Sequence, residues 1–205
     1  MASVDEGVGQ MLDALKEKGV YDNTLIFFLN DNGGETKRGA SNGKLRAGKN
    51  SVYEGGPKVP FMVSWPNKIK SGQVSSTPVI SLDIFATAVD AAGGTMPKDT
   101  VFDSKSMIPL LTGKTKETNH QTMYWQQRRD DWSVRHINWK LVKPKNKEVS
   151  ELYDLENDLS ESTDLAVKHP EIVKKLEGLY TNWHKQMKGF PVIEKSSKKS
   201  KKKNH

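Results

Sequence analysis

One continuous apolar run does most to constrain the fold of this 205-residue chain. Residues 24–29 read Thr-Leu-Ile-Phe-Phe-Leu and stop at the polar turn Asn-Asp-Asn-Gly-Gly of residues 30–34. A short run with this composition is typical of a strand that is buried on both faces in a parallel sheet. Because ligands bind beyond the carboxyl ends of strands in open α/β sheets, residues 30–34 are a candidate binding site.

The segments around this strand predict an α/β unit. Apolar residues at helical spacing predict one helix between Ser3 and Gly19 and a second over residues 82–94. A short strand is predicted over residues 59–65. Between the two strands, residues 35–56 form a loop that is rich in glycine and polar side chains.

The pattern changes in the second half of the chain. Short strand-like pieces separated by charged turns predict a small antiparallel sheet, with strands at residues 122–125, 133–137, 139–142 and 151–155. A last amphipathic helix is predicted from Pro170, and the tryptophans of this half are expected in the core between helix and sheet. The predicted organisation is an α/β part over 1–115, an α+β subdomain over 116–190 and a disordered tail over 191–205.

The formal net charge of +7 comes from the C-terminal tail. Residues 195–205 hold six lysines and no acid, so the remainder carries 26 basic and 25 acidic residues and is nearly neutral. A Ser/Lys tract of this kind cannot bury apolar surface. We expect a solvated tail, with a weak contact to a polyanion as the alternative, and otherwise no nucleic-acid partner.

The lack of cysteine and of a long apolar run excludes several classes of protein site. The 205 residues contain no cysteine, which excludes a disulfide framework, a thiolate metal site and a cysteine nucleophile within them. The longest clean apolar run, residues 25–29, is far shorter than the roughly 20 residues of a membrane-spanning helix. We therefore expect no membrane span. The sequence shows no signal peptide, and the localisation stays unknown.

Two groups of residues are candidates for chemistry. Asp31 and Asn32 offer oxygen ligands of the type that Ca²⁺ or Mg²⁺ takes, although Ca²⁺ needs about six to eight and a simple turn is the commoner meaning of this motif. In the following loop, Lys44, Arg46 and Lys49 present cations to something anionic, or are merely solvated. Glu54, which closes the loop, is equally interpretable as a buried ion-pair partner.

Several motifs in one order resemble the C-terminal half of a sulfatase, a family of the alkaline phosphatase superfamily. They are the segments 4–9, 23–33, 45–49, 53–56, 59–61, 83–87, 109–113, 138–141 and 151–158. The resemblance covers about residues 3–187. It implies an α/β fold that is part of an alkaline-phosphatase-like sandwich with a mainly parallel sheet, followed by a small α+β C-terminal subdomain with an antiparallel sheet and a terminal helix.

The resemblance also implies roles for individual residues. Asp31 and Asn32 match two metal ligands of the family, usually for Ca²⁺, with Mg²⁺ also possible. Lys49 matches a catalytic lysine that contacts the sulfate of a sulfated small molecule or glycan substrate. The metal and Lys49 would neutralise charge on the sulfate oxygens as the S–O bond breaks. Ala47 departs from the family pattern, which commonly has glycine there.

The nucleophile of the family is a formylglycine made from the Cys or Ser of a Cys/Ser-x-Pro-x-Arg motif. Ser64 and Ser76 each precede a proline by two residues, but neither is followed by the arginine. We therefore expect a chain that begins inside a longer sulfatase, supplies metal and sulfate contacts, and is inactive without the segment that carries the nucleophile. We also expect marginal stability of the isolated chain. The family is often periplasmic or secreted.

Two alternatives remain open. The chain could be a non-catalytic fragment that binds a polyanion through the cationic loop and the Lys-rich tail. It could also belong to a related phosphatase or phosphonate monoester hydrolase, since these share the metal chemistry of the sulfatases.

Overall fold

The computed structural model describes residues 2–118, 120–128, 131–145 and 147–187. The Lys-rich tail predicted over 191–205 lies outside this part of the chain. The first elements are helix α1 (Ala2–Glu17), strand β1 (Ile26–Leu29), strand β2 (Phe61–Ser64), helix α2 (Asp83–Ala91) and helix α3 (Ile108–Leu111). Single 3-10 turns at Tyr21–Asn23 and Thr36–Arg38 flank β1. The predicted helices and strands of this half are thus present.

The pairing of β1 differs from the expectation. β1 runs antiparallel to β2, with Ile26 opposite Ser64 and Leu29 opposite Phe61, and the described strands include no parallel pair. An apolar run indicates burial but carries no information about the direction of the neighbouring strand. Here residues 30–60 fold back without a crossover helix, so β2 returns antiparallel to β1. The expectation of a parallel partner for β1 is therefore corrected.

The sheet formed by β1 and β2 has one open face. Phe28 and Met62 lie directly opposite each other and are 40% and 55% exposed. On the other face, the rings of Phe27 and Phe61 meet edge to face at 6.2 Å. No residue of β1 is fully buried, so the burial on both faces that the apolar run predicts is not observed within this chain.

The predicted antiparallel sheet of the second half is confirmed. Its four strands lie in sequence order, each antiparallel to the next: β3 (Thr122–Arg128), β4 (Asp131–His136), β5 (Trp139–Lys143) and β6 (Glu151–Asp154). The terminal helix α4 (Pro170–Met187) covers one face of this sheet. The chain is thus a mixed α/β protein that ends in a small antiparallel sheet and a helix.

Alternate residues of the small sheet face two different layers. Towards α4 lies a core of five buried side chains, Val134, Leu141, Leu152, Leu176 and Tyr180. Trp132, Trp139 and Trp183 pack against this core, as the sequence predicted. On the opposite face Val142 and Tyr153 pack against Val52 of the Gly-rich loop, with Trp125 beside them. The small sheet is therefore the platform on which that loop rests.

A buried polar pair joins α2 to the segment before β3. Both carboxylate oxygens of Asp83 lie within hydrogen-bond distance of Nε2 of His120, at 2.8 and 2.9 Å. The backbone N–H groups of Lys105 and Ile80 also donate to Asp83. The ring of His120 is therefore buried with a hydrogen-bond partner and has a structural role.

Candidate functional site

The turn after β1 brings Asp31 and Asn32 side by side. Asp31 is exposed and Asn32 is half-buried, and the Asn32 amide donates a hydrogen bond to the Asp31 carboxylate. The amide oxygen of Asn32 and the second oxygen of Asp31 take no part in this bond. The pair is available to a ligand at the carboxyl end of β1.

Backbone hydrogen bonds connect this turn to the loop that carries Lys49. The N–H of Lys49 donates to the carbonyl of Gly34 at 3.1 Å, and the N–H of Gly33 donates to the carbonyl of Gly56 at 2.8 Å. The Lys49 side chain is exposed. The structure therefore brings together the two segments that contain Asp31, Asn32 and Lys49.

Glycine is required where the two segments touch. A Cβ on Gly33 would lie 1.7 Å from the carbonyl oxygen of Gly55, and one on Gly48 would lie 2.3 Å from that of Gly34. Neither position has room for a side chain, since the contacts are with backbone atoms. These glycines allow the Lys49 loop to lie directly against the turn after β1.

Two residues of the loop adopt the left-handed conformation that favours glycine. Ala47 has φ 61° and Asn50 has φ 65°. Asparagine tolerates this region, whereas alanine carries a steric cost there. The left-handed backbone at position 47 is therefore one that glycine would adopt more readily than alanine.

Arg46 does not belong to the exposed cations of the loop. Its Nη1 donates to the Tyr153 hydroxyl at 2.7 Å and to the Glu161 carbonyl at 2.8 Å, and its guanidinium lies 3.9 Å from the Tyr53 ring centre. The interpretation of Arg46 as a solvent-facing cation is thus wrong. Arg46 attaches the loop to the small sheet, and Lys44 and Lys49 remain exposed.

Glu54 is a buried ion-pair partner, one of the two interpretations that its sequence position allowed. Its Oε1 lies 2.8 Å from Nζ of Lys140, and both side chains are buried. Glu161 lies 2.9 Å from the same ammonium group, and its other oxygen accepts the N–H of Glu54 at 2.7 Å. Burial raises the pKa of Glu161. The cluster fixes residue 54, five positions after Lys49, to the centre of the sheet.

Sequence reasoning missed Lys140 and Glu161. The one signal for Lys140 is a lysine between Trp139 and Leu141 in an otherwise apolar strand. Glu161 lies in a loop at φ 53° and gives no pattern at all.

A second polar cluster holds Tyr53. Glu151 accepts hydrogen bonds from the hydroxyls of Tyr53 and Tyr153 and from the ammonium group of Lys147. Burial opposes ionisation of Glu151, but the hydrogen bonds from Lys147 and the two tyrosines outweigh it and lower its pKa. Burial, together with the hydrogen bond to Glu151, raises the pKa of each tyrosine.

The donor set of the turn fits part of a site for a hard cation. Asp31 and Asn32 supply carboxylate and amide oxygens, which Ca²⁺ and Mg²⁺ prefer. Two such residues do not complete the coordination of about six to eight oxygens that Ca²⁺ takes. Within residues 2–118, 120–128, 131–145 and 147–187, no group of three or more His, Cys, Asp or Glu side chains could hold a metal ion.

Comparisons with known proteins agree with this arrangement of motifs. Residues 1–94 match the family model described as Sulfatase. The steryl-sulfatase of Mus musculus is 36% identical over 129 residues, which span 59% of this chain and 21% of that protein. The solved structure of Ps i-CgsB is 35% identical with a TM-score of 0.82, over 88% of this chain and 40% of that one.

These matches confirm the resemblance to the sulfatase family. The fold of the chain is accordingly part of the alkaline-phosphatase-like fold of these sulfatases. A further solved relative is described as a complex with its substrate D-glucosamine-2-N,6-O-disulfate. It is 25% identical with a TM-score of 0.73, over 95% of this chain and 40% of that one.

The chain spans only part of its relatives, two fifths of each of the two solved chains and about a fifth of steryl-sulfatase. In the part of the chain that the structure describes, no helix is both long enough and apolar enough to cross a membrane.

Proposed function

We propose that this chain supplies metal and sulfate contacts to the site of a sulfuric ester hydrolase of the arylsulfatase type. In this proposal Asp31 and Asn32 bind a divalent cation, Ca²⁺ or alternatively Mg²⁺, and Lys49 binds the sulfate group. The observation that carries the proposal is the hydrogen bond from the Lys49 N–H to the Gly34 carbonyl. It ties the lysine to the turn that contains the two oxygen ligands.

The proposed roles follow from charge. A sulfate group is anionic, and its oxygens retain negative charge while the ester S–O bond breaks. The Lys49 ammonium group would donate hydrogen bonds to these oxygens and neutralise part of that charge. A bound cation would act as a Lewis acid on the same group. Lys49 is thus a proposed catalytic and substrate-binding residue.

The proposed substrate class is a sulfated sugar or another sulfated small molecule. The solved relative that is described with D-glucosamine-2-N,6-O-disulfate as its substrate supports the sugar. The exposed position of Lys49 also supports a substrate that approaches from solvent. The identity of the ester is not specified by these residues.

We further propose that the 205-residue chain alone does not hydrolyse sulfate esters. It contains no cysteine and no Ser-x-Pro-x-Arg motif, so it lacks a precursor of formylglycine. In this proposal, turnover requires a segment that carries the nucleophile.

The two alternatives of the sequence have less support. Binding of a polyanion by the loop loses one of its three cations, because Arg46 is engaged with Tyr153 and Glu161. A phosphatase or phosphonate monoester hydrolase would use the same oxygen ligands, but the matching family model is Sulfatase and the mouse relative is a steryl-sulfatase.

Calorimetric titrations of the 205-residue chain with CaCl₂ and with sodium sulfate test the proposal. Lys49→Ala should weaken sulfate binding by about tenfold, the loss of a charge-assisted hydrogen bond, and leave Ca²⁺ binding unchanged. Asp31→Ala should weaken Ca²⁺ binding, and Lys44→Ala is the matched control for an exposed lysine of the loop. Equal sulfate affinity of the wild type and Lys49→Ala would refute the role of Lys49. Tighter binding of phosphate than of sulfate would favour the phosphatase alternative.

A further inference from the structure

The side chain of Asn42 lies between the turn after β1 and the Lys49 loop. Its Oδ1 accepts the N–H of Gly34 at 2.7 Å. Its Nδ2 donates to the carbonyl of Gly34 at 3.2 Å and to the carbonyl of Ala47 at 2.9 Å. One amide group thus binds both backbone groups of residue 34 and one of residue 47.

Asn42 and Lys49 share one hydrogen-bond acceptor in the turn after β1. The Gly34 carbonyl accepts from Asn42 Nδ2 and also from the Lys49 N–H at 3.1 Å. A Cβ on Gly48 would lie only 2.6 Å from the same Nδ2. The backbone around Lys49 is therefore packed against the Asn42 amide as well as against Gly34.

We infer that Asn42 is a positioning residue, which holds the Asp31–Asn32 turn and the Lys49 backbone in one fixed arrangement. The catalytic meaning of this arrangement rests on the proposed function, whereas the clamp itself rests on the hydrogen bonds alone. The geometry needs an acceptor and a donor on the same short side chain. Asparagine provides both, while aspartate keeps the acceptor and loses the two donor contacts.

An aspartate variant distinguishes a positioning role of Asn42 from simple packing. Asn42→Asp preserves the volume of the side chain but places a carboxylate oxygen against the carbonyls of Gly34 and Ala47. If Asn42 only filled space, the aspartate variant would behave like the wild type. If Asn42 acts through its hydrogen bonds, Asn42→Asp and Asn42→Ala both lose the donor contacts to the carbonyls of Gly34 and Ala47.

The first measurement is amide hydrogen exchange of the full 205-residue chain, which needs no ligand. We expect faster exchange at the N–H groups of Gly34 and Lys49 in Asn42→Ala. In Asn42→Asp, which keeps the acceptor of the Gly34 N–H, we expect faster exchange at the Lys49 N–H. The exposed Asn67→Ala variant is the matched control and should exchange like the wild type. Unchanged exchange at both amides in the two Asn42 variants would overturn the inference.

The second measurement is a double-mutant cycle on sulfate affinity with Lys49→Ala, using inorganic sulfate as the probe. Asn42→Ala should weaken sulfate binding by about fivefold to tenfold when Lys49 is present and have little effect in the Lys49→Ala background. A merely structural role would give equal effects in both backgrounds, and that result would overturn the positioning of Lys49. Altered exchange in the Asn42 variants, together with a wild type that binds no sulfate, would support the clamp and contradict the proposed function.

Discussion

At the scale of single residues, the ammonium group of Lys140 is the buried charge that most needs a partner of opposite charge. It is buried between Glu54 and Glu161, at 2.8 and 2.9 Å. Charges taken out of water are costly unless they are paired, so each member of this cluster depends on the others. The cluster also joins the loop of Lys49 to the small sheet, since Glu54 belongs to the loop and Lys140 to β5.

Replacement of Lys140 should therefore lower the stability of the protein. We expect Lys140→Met to lower the free energy of unfolding by about 3–5 kcal/mol, because two buried carboxylates lose their counter-charge. Urea unfolding followed by tryptophan fluorescence measures this loss. The control is Lys174→Met on the exposed side of α4, which should change little. Similar losses in the two variants would contradict the role of the cluster.

The pKa of Glu151 predicts a pH dependence of stability. Because its pKa is lowered in the folded state, ionised Glu151 stabilises the fold above its ordinary value of 4.5. This contribution is lost as the pH falls through the depressed folded pKa. The free energy of unfolding of Glu151→Gln should therefore lie below that of the wild type at pH 7, and the difference should shrink as the pH falls below 4.5. A difference that stays constant over that range would contradict the prediction.

At the scale of elements, helix α4 and the small sheet form the main apolar core. Leu176 of α4 is 1% exposed and packs with Val134, Leu141 and Leu152 of the sheet. Ring stacking extends this contact, with Trp132 on Tyr180 at 3.8 Å and an interplanar angle of 7°. The sheet that carries the loop thus packs against one helix.

A cavity in this core should destabilise the whole platform. We expect Leu176→Ala to lower the free energy of unfolding by about 2–5 kcal/mol, the usual cost of a buried leucine. Val167→Ala is the control, since Val167 is 95% exposed. Thermal unfolding followed by circular dichroism distinguishes the two variants. A shift for Leu176→Ala no larger than that for the control would contradict this packing.

At the scale of the whole molecule, the N-terminal half exposes large apolar side chains. Phe28 and Met62 are exposed on the sheet of β1 and β2, and Met11 of α1 is 63% exposed. Helix α1 has no buried residue. Exposed apolar patches and sheet edges favour association of chains.

We therefore expect the isolated chain to self-associate as its concentration rises. Met62→Lys should reduce this association, because a charge on the open face opposes contact between chains. Sedimentation velocity over a range of concentrations measures the effect, with exposed Val101→Lys as the control. A wild type that stays monomeric over that range would contradict the prediction.

Local patterns in the sequence predicted the helices and strands, because these elements depend on neighbours along the chain. Strand β1 is an example, since residues 24–29 were expected as a strand and the structure has one at Ile26–Leu29. The partners of Arg46 could not be predicted, since Tyr153 and Glu161 lie more than a hundred positions away. The direction of β2 was missed for a related reason: it depends on the path of residues 30–60.

Titration of sulfate in the presence and absence of saturating Ca²⁺ tests most directly whether Asp31, Asn32 and Lys49 form one site. A cation and a lysine that bind the same anion should cooperate, so Ca²⁺ should strengthen sulfate binding to the wild type. Asp31→Ala should remove this strengthening while Lys49 still binds sulfate weakly. Equal sulfate affinity with and without Ca²⁺, in a chain that binds both ions, would contradict a single site.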